Sequence, residues 1–240
     1  MKIVNLQVGS DRPEDYFLFT KYDLAALISV SDKNPRSQFL YMSAEAETAW
    51  VIASNRAIRL SASNRAPLSW QRVSIKDIKN MKVLQTDALL IRHRSLDVAQ
   101  LHKVSFLKKN WSIESGADMV PNKECETSVQ SIESKVVSAP PLGSSDYSLA
   151  VVEDFFASNT GGSVSCVDLG MEFMETIPKI AAAVGKKERL RVSPGKANVP
   201  VVFIAEQGDL TWRYALLEQS APFVPKPIPR PAEDLLDQKY

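Results

Sequence analysis

The stretch that decides the fold is residues 20–61, TKYDLAALISVSDKNPRSQFLYMSAEAETAWVIASNRAIRLS. In residues 23–30 the apolar side chains recur at helical spacing, and Thr20 is a residue type that caps helix N-termini. After DKNP at 32–35 the period changes, and three short β-rich runs follow with polar turns between them, at 38–45, 48–55 and 57–63. The stretch therefore predicts one helix followed by a β-meander.

The same order of elements recurs twice along the chain. VSIKDIKNMKV at 73–83 predicts a helix with Ile75 and Ile78 turned inward, and strands follow it at 88–95, 102–109 and 111–116. MEFMETIPKIAAAVG at 171–185 predicts another helix, which Pro178 should kink or break. Strands then follow at 188–194, 200–207 and 210–218, with a tight turn at 207–209. The expected fold class is α+β, built from repeated helix-plus-β-meander units.

Composition changes along the chain suggest how these units are grouped. Residues 116–146 lack aromatic side chains and contain several serines together with Pro140, Pro141 and Gly143, which is typical of a connector. We therefore expect one domain at 1–115, an interdomain connector at 116–146 and a second, shorter domain at 147–220. Residues 221–240 form a tail, whose five prolines within 222–231 favour an extended polyproline-II segment.

The overall composition is that of a soluble globular chain. The 240 residues are 45% hydrophobic, carry a net charge of +1 and include only two cysteines, which stand in no metal-binding spacing. No apolar run approaches the ~20 residues that a membrane helix needs, and the first residues become polar too early for a signal peptide. These features predict a cytoplasmic protein that has no contact with a membrane.

The near-neutral net charge hides an asymmetry between the two halves. Residues 1–115 contain 17 Lys and Arg against 11 Asp and Glu, whereas residues 116–240 contain 12 against 17. Within the first half, residues 56–109 hold 12 basic side chains and three acidic ones. Such a stretch can attract a polyanion, although an ordinary solvated basic surface is the alternative.

The sequence contains no recognisable catalytic chemistry. His93 and His102 are the only histidines, and neither has a metal-ligand companion one helical turn away. The nucleophile-elbow, phosphate-loop, dinucleotide and zinc-protease motifs are all missing. We therefore expect no enzymatic activity, no catalytic residue, no metal site and no cofactor.

Two segments resemble the DNA sliding clamps, the ring-forming processivity factors of DNA polymerases, in their bacterial or phage form. YDLAALISV with FLYMSAEAETAWVIASNRAIRLSAS is similar to a clamp's opening helix and first strands. The segment from MEFMETIPKIAAAVG to LTWRYALLE is similar to the last unit of bacterial clamps. The resemblance implies a clamp-like two-domain architecture and a homo-oligomer, a trimer if the ring closes. It also implies duplex DNA and DNA polymerase or other replication proteins as partners.

This resemblance and the basic stretch together give two sets of candidate residues. Encircling DNA without reading its sequence requires Lys and Arg that contact phosphates. The DNA-binding candidates are Lys76, Lys79, Lys82, Arg92, Arg94, Lys186, Lys187 and Arg189. By the resemblance, partner peptides dock beside the connector and the terminal strand, at Met119, Val120, Pro121, Trp212 and Leu216.

A second hypothesis belongs to a different class. The chain could be a non-enzymatic protein-interaction or regulatory module whose Pro-rich tail engages a partner, with the basic stretch incidental. Salt-dependent DNA association separates the two hypotheses, because only the first requires it.

Overall fold

The computed structural model describes residues 1–8, 12–63, 65, 67–95, 97–106, 129–139, 174–185, 188–193 and 200–216. Three α-helices lie in these ranges: α1 (Lys21–Leu27), α2 (Ile75–Asn80) and α3 (Thr176–Val184). The strands of the first half are β1 (Lys2–Leu6), β2 (Glu14–Thr20), β3 (Phe39–Ser43), β4 (Thr48–Ile52), β5 (Arg56–Ser61), β6 (Gln71–Ser74), β7 (Ala88–Ser95) and β8 (Val98–Phe106). The remaining strands are β9 (Val129–Ser138), β10 (Leu190–Ser193), β11 (Val201–Gln207) and β12 (Leu210–Leu216).

The strands form two antiparallel sheets, so the predicted α+β class is confirmed. One sheet has five strands in the order β1-β2-β7-β8-β9, and the other has seven in the order β10-β11-β12-β5-β4-β3-β6. Each helix is followed by strands, as predicted: β3 to β5 after α1, β7 and β8 after α2, and β10 to β12 after α3. The strand predicted at 111–116 lies outside the described residues, and the third strand after α2 is β9.

A strand before each of the first two helices makes the repeat more regular than the sequence indicated. The order strand, helix, three strands occurs once from β2 to β5 and again from β6 to β9. The first strand of each repeat pairs with the other repeat, since β2 lies beside β7 and β6 lies beside β3. The two repeats therefore exchange their first strands and cannot fold as separate units.

All three helices pack on one side of the sheets. One core cluster contains Leu24 and Leu27 of α1, Ile78 of α2 and Ile180 of α3. The same cluster includes the side chains on one face of each sheet. The alternate strand residues, on the opposite faces, form two smaller clusters. We call the helix-bearing side the inner side and the opposite faces of the sheets the outer faces.

The start of α1 follows the sequence prediction closely. The Asp23 backbone N–H donates to Thr20 Oγ1 at 3.2 Å, and the Thr20 backbone N–H donates to Asp23 Oδ2 at 2.9 Å. These reciprocal bonds form a capping box, which satisfies two backbone donors at the helix start. The buried Asp23 carboxylate also accepts a hydrogen bond from the Met1 amine at 3.1 Å, so β1 is tied to α1.

The predicted grouping into two domains and a connector differs from the structure in two places. Residues 129–138, inside the predicted connector 116–146, form the ten-residue strand β9. This strand lies at a sheet edge and exposes Ile132 and Val136 together with polar neighbours, so its sequence does not alternate as a half-buried strand should. In the other sheet, β12 pairs with β5. The predicted domains 1–115 and 147–220 therefore share a sheet and a core.

Pro178 coincides with a break in the helical segment, as the sequence predicts: Met174 is helical, Glu175 is a turn, and a new helix follows. The helix α3 begins at Thr176, so Pro178 lies in the first turn. The first four N–H groups of a helix have no acceptor within it, and a missing donor there has no cost. The predicted helix start, at residues 171–173, lies outside the described residues.

Candidate nucleic-acid interface

Three lysines in and just after α2, which we call the α2 lysines, are exposed as the sequence predicted: Lys76 and Lys79 lie in the helix, and Lys82 lies two residues past its end. Lys76, Lys79 and Lys82 are exposed, while Ile75, Ile78 and Met81 are buried in the core. For Lys76 and Lys79 this follows from helical spacing, which turns residues three apart to the same side. Lys82 lies beyond the helix, at a left-handed backbone position with a φ of 51°. Within the described part of the chain, none of the three lysines forms an ion pair with an acidic side chain. Their ammonium groups are therefore available to an anion.

The acidic residues near this surface are mostly engaged elsewhere. Asp77 of α2 accepts a hydrogen bond from Lys135 Nζ of β9 at 2.9 Å. Asp23 of α1 is buried at the capping box. The exposed parts of α1 and α2 consequently carry lysines without a matching set of available carboxylates.

The helix α3 extends the same inner surface. It packs against α1, where Ser29 Oγ and Thr176 Oγ1 are 3.0 Å apart. Lys179, in the middle of α3, is partly exposed. Lys186 and Lys187 lie outside the described residues, and Arg189 is exposed directly before β10.

Arg92 does not belong to this surface, which corrects the prediction. It lies two residues after Leu90 on β7, and Leu90 packs in the cluster on the outer face of the five-stranded sheet. Its guanidinium forms an ion pair with Glu14, which also accepts a hydrogen bond from Tyr16 Oη at 3.2 Å. The sequence grouped Arg92 with the lysines because net charge over a stretch does not reveal the face of a strand.

Arg94 is exposed near the end of β7, where the pairing with β8 is irregular. It follows Arg92 along the same strand and, like it, is not part of a helix. The structure therefore brings together Lys76, Lys79 and Lys82 and separates them from the two arginines of β7.

The terminal-strand candidates for peptide binding are core residues. Trp212 is 1% exposed and Leu216 is 0% exposed, and both belong to the main core cluster. Their strand β12 has a partner on each side, β11 and β5, so its alternate residues face inward. The prediction that they form a peptide pocket is wrong. Met119, Val120 and Pro121 lie outside the described residues.

The two histidines lie in the five-stranded sheet, His102 buried and His93 partly exposed, and their buried ring nitrogens contact no hydrogen-bond partner. His102 is 3% exposed on β8, where its ring meets the Tyr16 ring edge to face at a centroid distance of 5.6 Å. His93 pairs with Ala99 on the inner side. All four ring nitrogens lack a partner. Burial lowers the pKa of His93 to about 4, and burial also lowers the pKa of His102, against the opposing charge of Glu14.

Sequence reasoning missed one residue at this surface. Tyr22, at the start of α1, is 49% exposed although it is a large side chain with an aromatic ring. A signal was available, because Tyr22 lies off the helix face formed by Leu24, Leu27 and Ile28.

Neither comparison with known proteins identifies a relative: no protein-family model matches the chain, and no curated protein is similar to it. In the described ranges, no group of three or more His, Cys, Asp or Glu side chains could hold a metal ion. No helix there is long and apolar enough to span a membrane.

Proposed function

We propose that this chain is a sliding-clamp-like processivity factor, which encircles duplex DNA without sequence specificity and recruits replication proteins. The observation that carries the proposal is the set of exposed lysines on α2, on the same side of the sheets as α1 and α3. The repeated strand-helix-three-strand unit supports it as well, since it extends the helix-plus-meander pattern on which the resemblance rests.

Phosphate contact by lysines fits a protein that must slide. Lysine is a flexible point charge that attracts phosphate without a fixed geometry, whereas base reading requires side chains placed in a groove. Lys76 and Lys79 lie on a short helix and Lys82 just past its end, and all three are exposed, flexible cations. The expected complex is therefore electrostatic and independent of sequence.

A homo-oligomer requires a surface through which copies meet. In the described part of the five-stranded sheet, β9 is an edge strand with a partner only on the β8 side. It exposes Ile132 and Val136, and an edge strand with exposed apolar residues can pair with another chain. A head-to-tail contact between copies closes into a ring if the rotation permits.

The DNA-binding part of the proposal is tested with a charge-reversed variant and a matched control. Lys76→Glu/Lys79→Glu/Lys82→Glu reverses the α2 lysines, and Lys33→Glu/Arg65→Glu/Arg191→Glu makes the same charge change at exposed residues outside the helices. Binding to a labelled duplex is measured against salt concentration. Each lost phosphate contact lowers the slope of log K against log salt by about 0.9, so the α2 variant should lose between two and three units, roughly. The control should retain most of the slope.

Two results would contradict the proposal. One is duplex affinity that does not depend on salt, or that the α2 variant leaves unchanged while its circular dichroism and melting match the wild type. The other is light scattering at micromolar concentration that finds a strict monomer, which excludes the ring. Deleting residues 221–240 distinguishes the proposal from the alternative, a protein-interaction module that uses its Pro-rich tail. Such a module should lose its protein partner on deletion, and it should show no DNA binding with or without the tail.

A further inference from the structure

An exposed aromatic ring stands beside a lysine at the start of α1. Tyr22 is the second residue of α1, and the residues that follow it, Asp23 and Leu24, are buried. The Lys21 Nζ atom lies 5.3 Å from the centroid of the Tyr22 ring. This contact brings a cation against the ring, yet about half of the tyrosine surface remains open to solvent.

The start of α1 lies next to the end of α2. The Lys21 backbone N–H donates to the Asp87 carbonyl at 3.1 Å, and α1 packs against the 3-10 turn at Val83–Gln85 that follows α2. In that turn Leu84 is half exposed. The inner side therefore offers an aromatic ring and an aliphatic side chain close to the lysine at 82.

Exposed apolar side chains contribute little to binding a duplex, because base pairing and stacking hide the faces of the bases. A single strand exposes those faces, and an aromatic ring surrounded by cations is the arrangement that holds it. We propose that this surface binds single-stranded DNA, with a base stacked on Tyr22 and the adjacent phosphates contacted by Lys21 and the α2 lysines. The inference rests on the proposed function, since it uses the same lysines.

The experiment compares a labelled oligodeoxythymidylate with a labelled duplex on the wild type, Tyr22→Ala and Tyr22→Phe. Stacking of one base corresponds to roughly a 5- to 150-fold change in affinity, so Tyr22→Ala should weaken oligonucleotide binding by that factor. Tyr22→Phe keeps the ring and should bind like the wild type. Duplex binding should stay within about twofold for both variants, because phosphate contacts carry it. Leu68→Ala truncates another exposed apolar residue, in the loop before β6, and is the control.

A second measurement reports stacking directly. An oligonucleotide that contains 2-aminopurine should show quenched fluorescence on the wild type and on Tyr22→Phe, and no quenching on Tyr22→Ala. Unchanged oligonucleotide affinity in Tyr22→Ala, or an equal loss on the duplex, overturns the inference. A wild type that binds duplex but no oligonucleotide overturns the inference and leaves the proposed function standing. A wild type that binds neither overturns both.

Discussion

Acidification should destabilise the protein through its two histidines, and the effect should appear above the range in which most carboxylates titrate. Burial lowers the pKa of His93 from 6.5 to about 4 and lowers that of His102 in the same direction. Between these values the unfolded chain binds protons that the folded chain does not bind. The free energy of unfolding therefore falls as the pH decreases from about 6.5 towards about 4.

The size of the effect follows from the His93 shift. One pKa unit corresponds to about 1.4 kcal/mol, so the full shift would amount to about 3 kcal/mol. The ring of His93 is partly exposed, and solvent screening reduces the expected loss to about 2 kcal/mol. His102 adds to this loss, because its ring nitrogens have no partner that could stabilise a charge.

The Asp32 carboxylate does not contribute to the pH dependence in this range. Burial alone would raise the pKa of Asp32, but hydrogen bonds from Ser37 Oγ and the backbone N–H groups of Asn34 and Ser54 outweigh it, and the pKa lies below its ordinary value. A carboxyl group with a lowered pKa loses its stabilising effect only as the pH falls towards that lowered value. Its contribution is thus intact where the histidines titrate.

The assay is urea unfolding followed by tryptophan fluorescence at neutral pH and at about pH 4.5, the second value being within the histidine range. The wild type should lose about 2 kcal/mol or more between them. His93→Gln/His102→Gln cannot take up a proton at these positions and should lose much less. Since the comparison uses the pH-dependent difference, a constant destabilisation of the variant does not affect it. An equal loss in wild type and variant would refute the reasoning.

Three further variants test the packing. Asp23→Asn removes the charge that pairs with the Met1 amine and should cost roughly 3 kcal/mol in urea unfolding; a change near zero would mean that the buried pair is not formed. Trp212→Ala removes a buried core side chain and should lower the free energy of unfolding by about 3–5 kcal/mol. Unchanged stability together with lost partner binding would instead mean that Trp212 binds a partner peptide. Gly208→Ala places a side chain at a φ of 54° and should cost about 1 kcal/mol, while an unchanged melting temperature would argue against this turn geometry.

Local signals in the sequence were sufficient for most elements. The Thr20 cap, the inward set of Ile75, Ile78 and Met81, and the turn at Gly208 each follow from a few neighbouring residues. Pairing between distant strands had no such signal, because β2 meets β7 and β12 meets β5 only after the chain has folded. Edge strands were also hard to predict from the sequence, since β9 has a polar sequence that is equally typical of a loop.

The candidate site divides in the same way. Helical spacing was sufficient to place Lys76 and Lys79, because three-residue steps on a helix settle which side is exposed. Whether a strand residue is exposed depends on what covers its side of the sheet, which the local sequence does not show. Arg92 forms an ion pair with Glu14, and Trp212 is buried in the core. For the strand residues, charge and aromaticity were visible in the sequence, but solvent accessibility was not.

Pairing of charges decides which basic residues remain candidates for DNA. Arg92, Lys103 and Lys135 each form an ion pair, with Glu14, Glu133 and Asp77 respectively. A phosphate would have to compete with those carboxylates and leave them unpaired, which lowers the gain from each contact. The three lysines of α2 have no such competitor among the described residues. Of the strongly basic stretch of sequence, this leaves a small group in and just after α2, and salt-dependent binding should depend on that group.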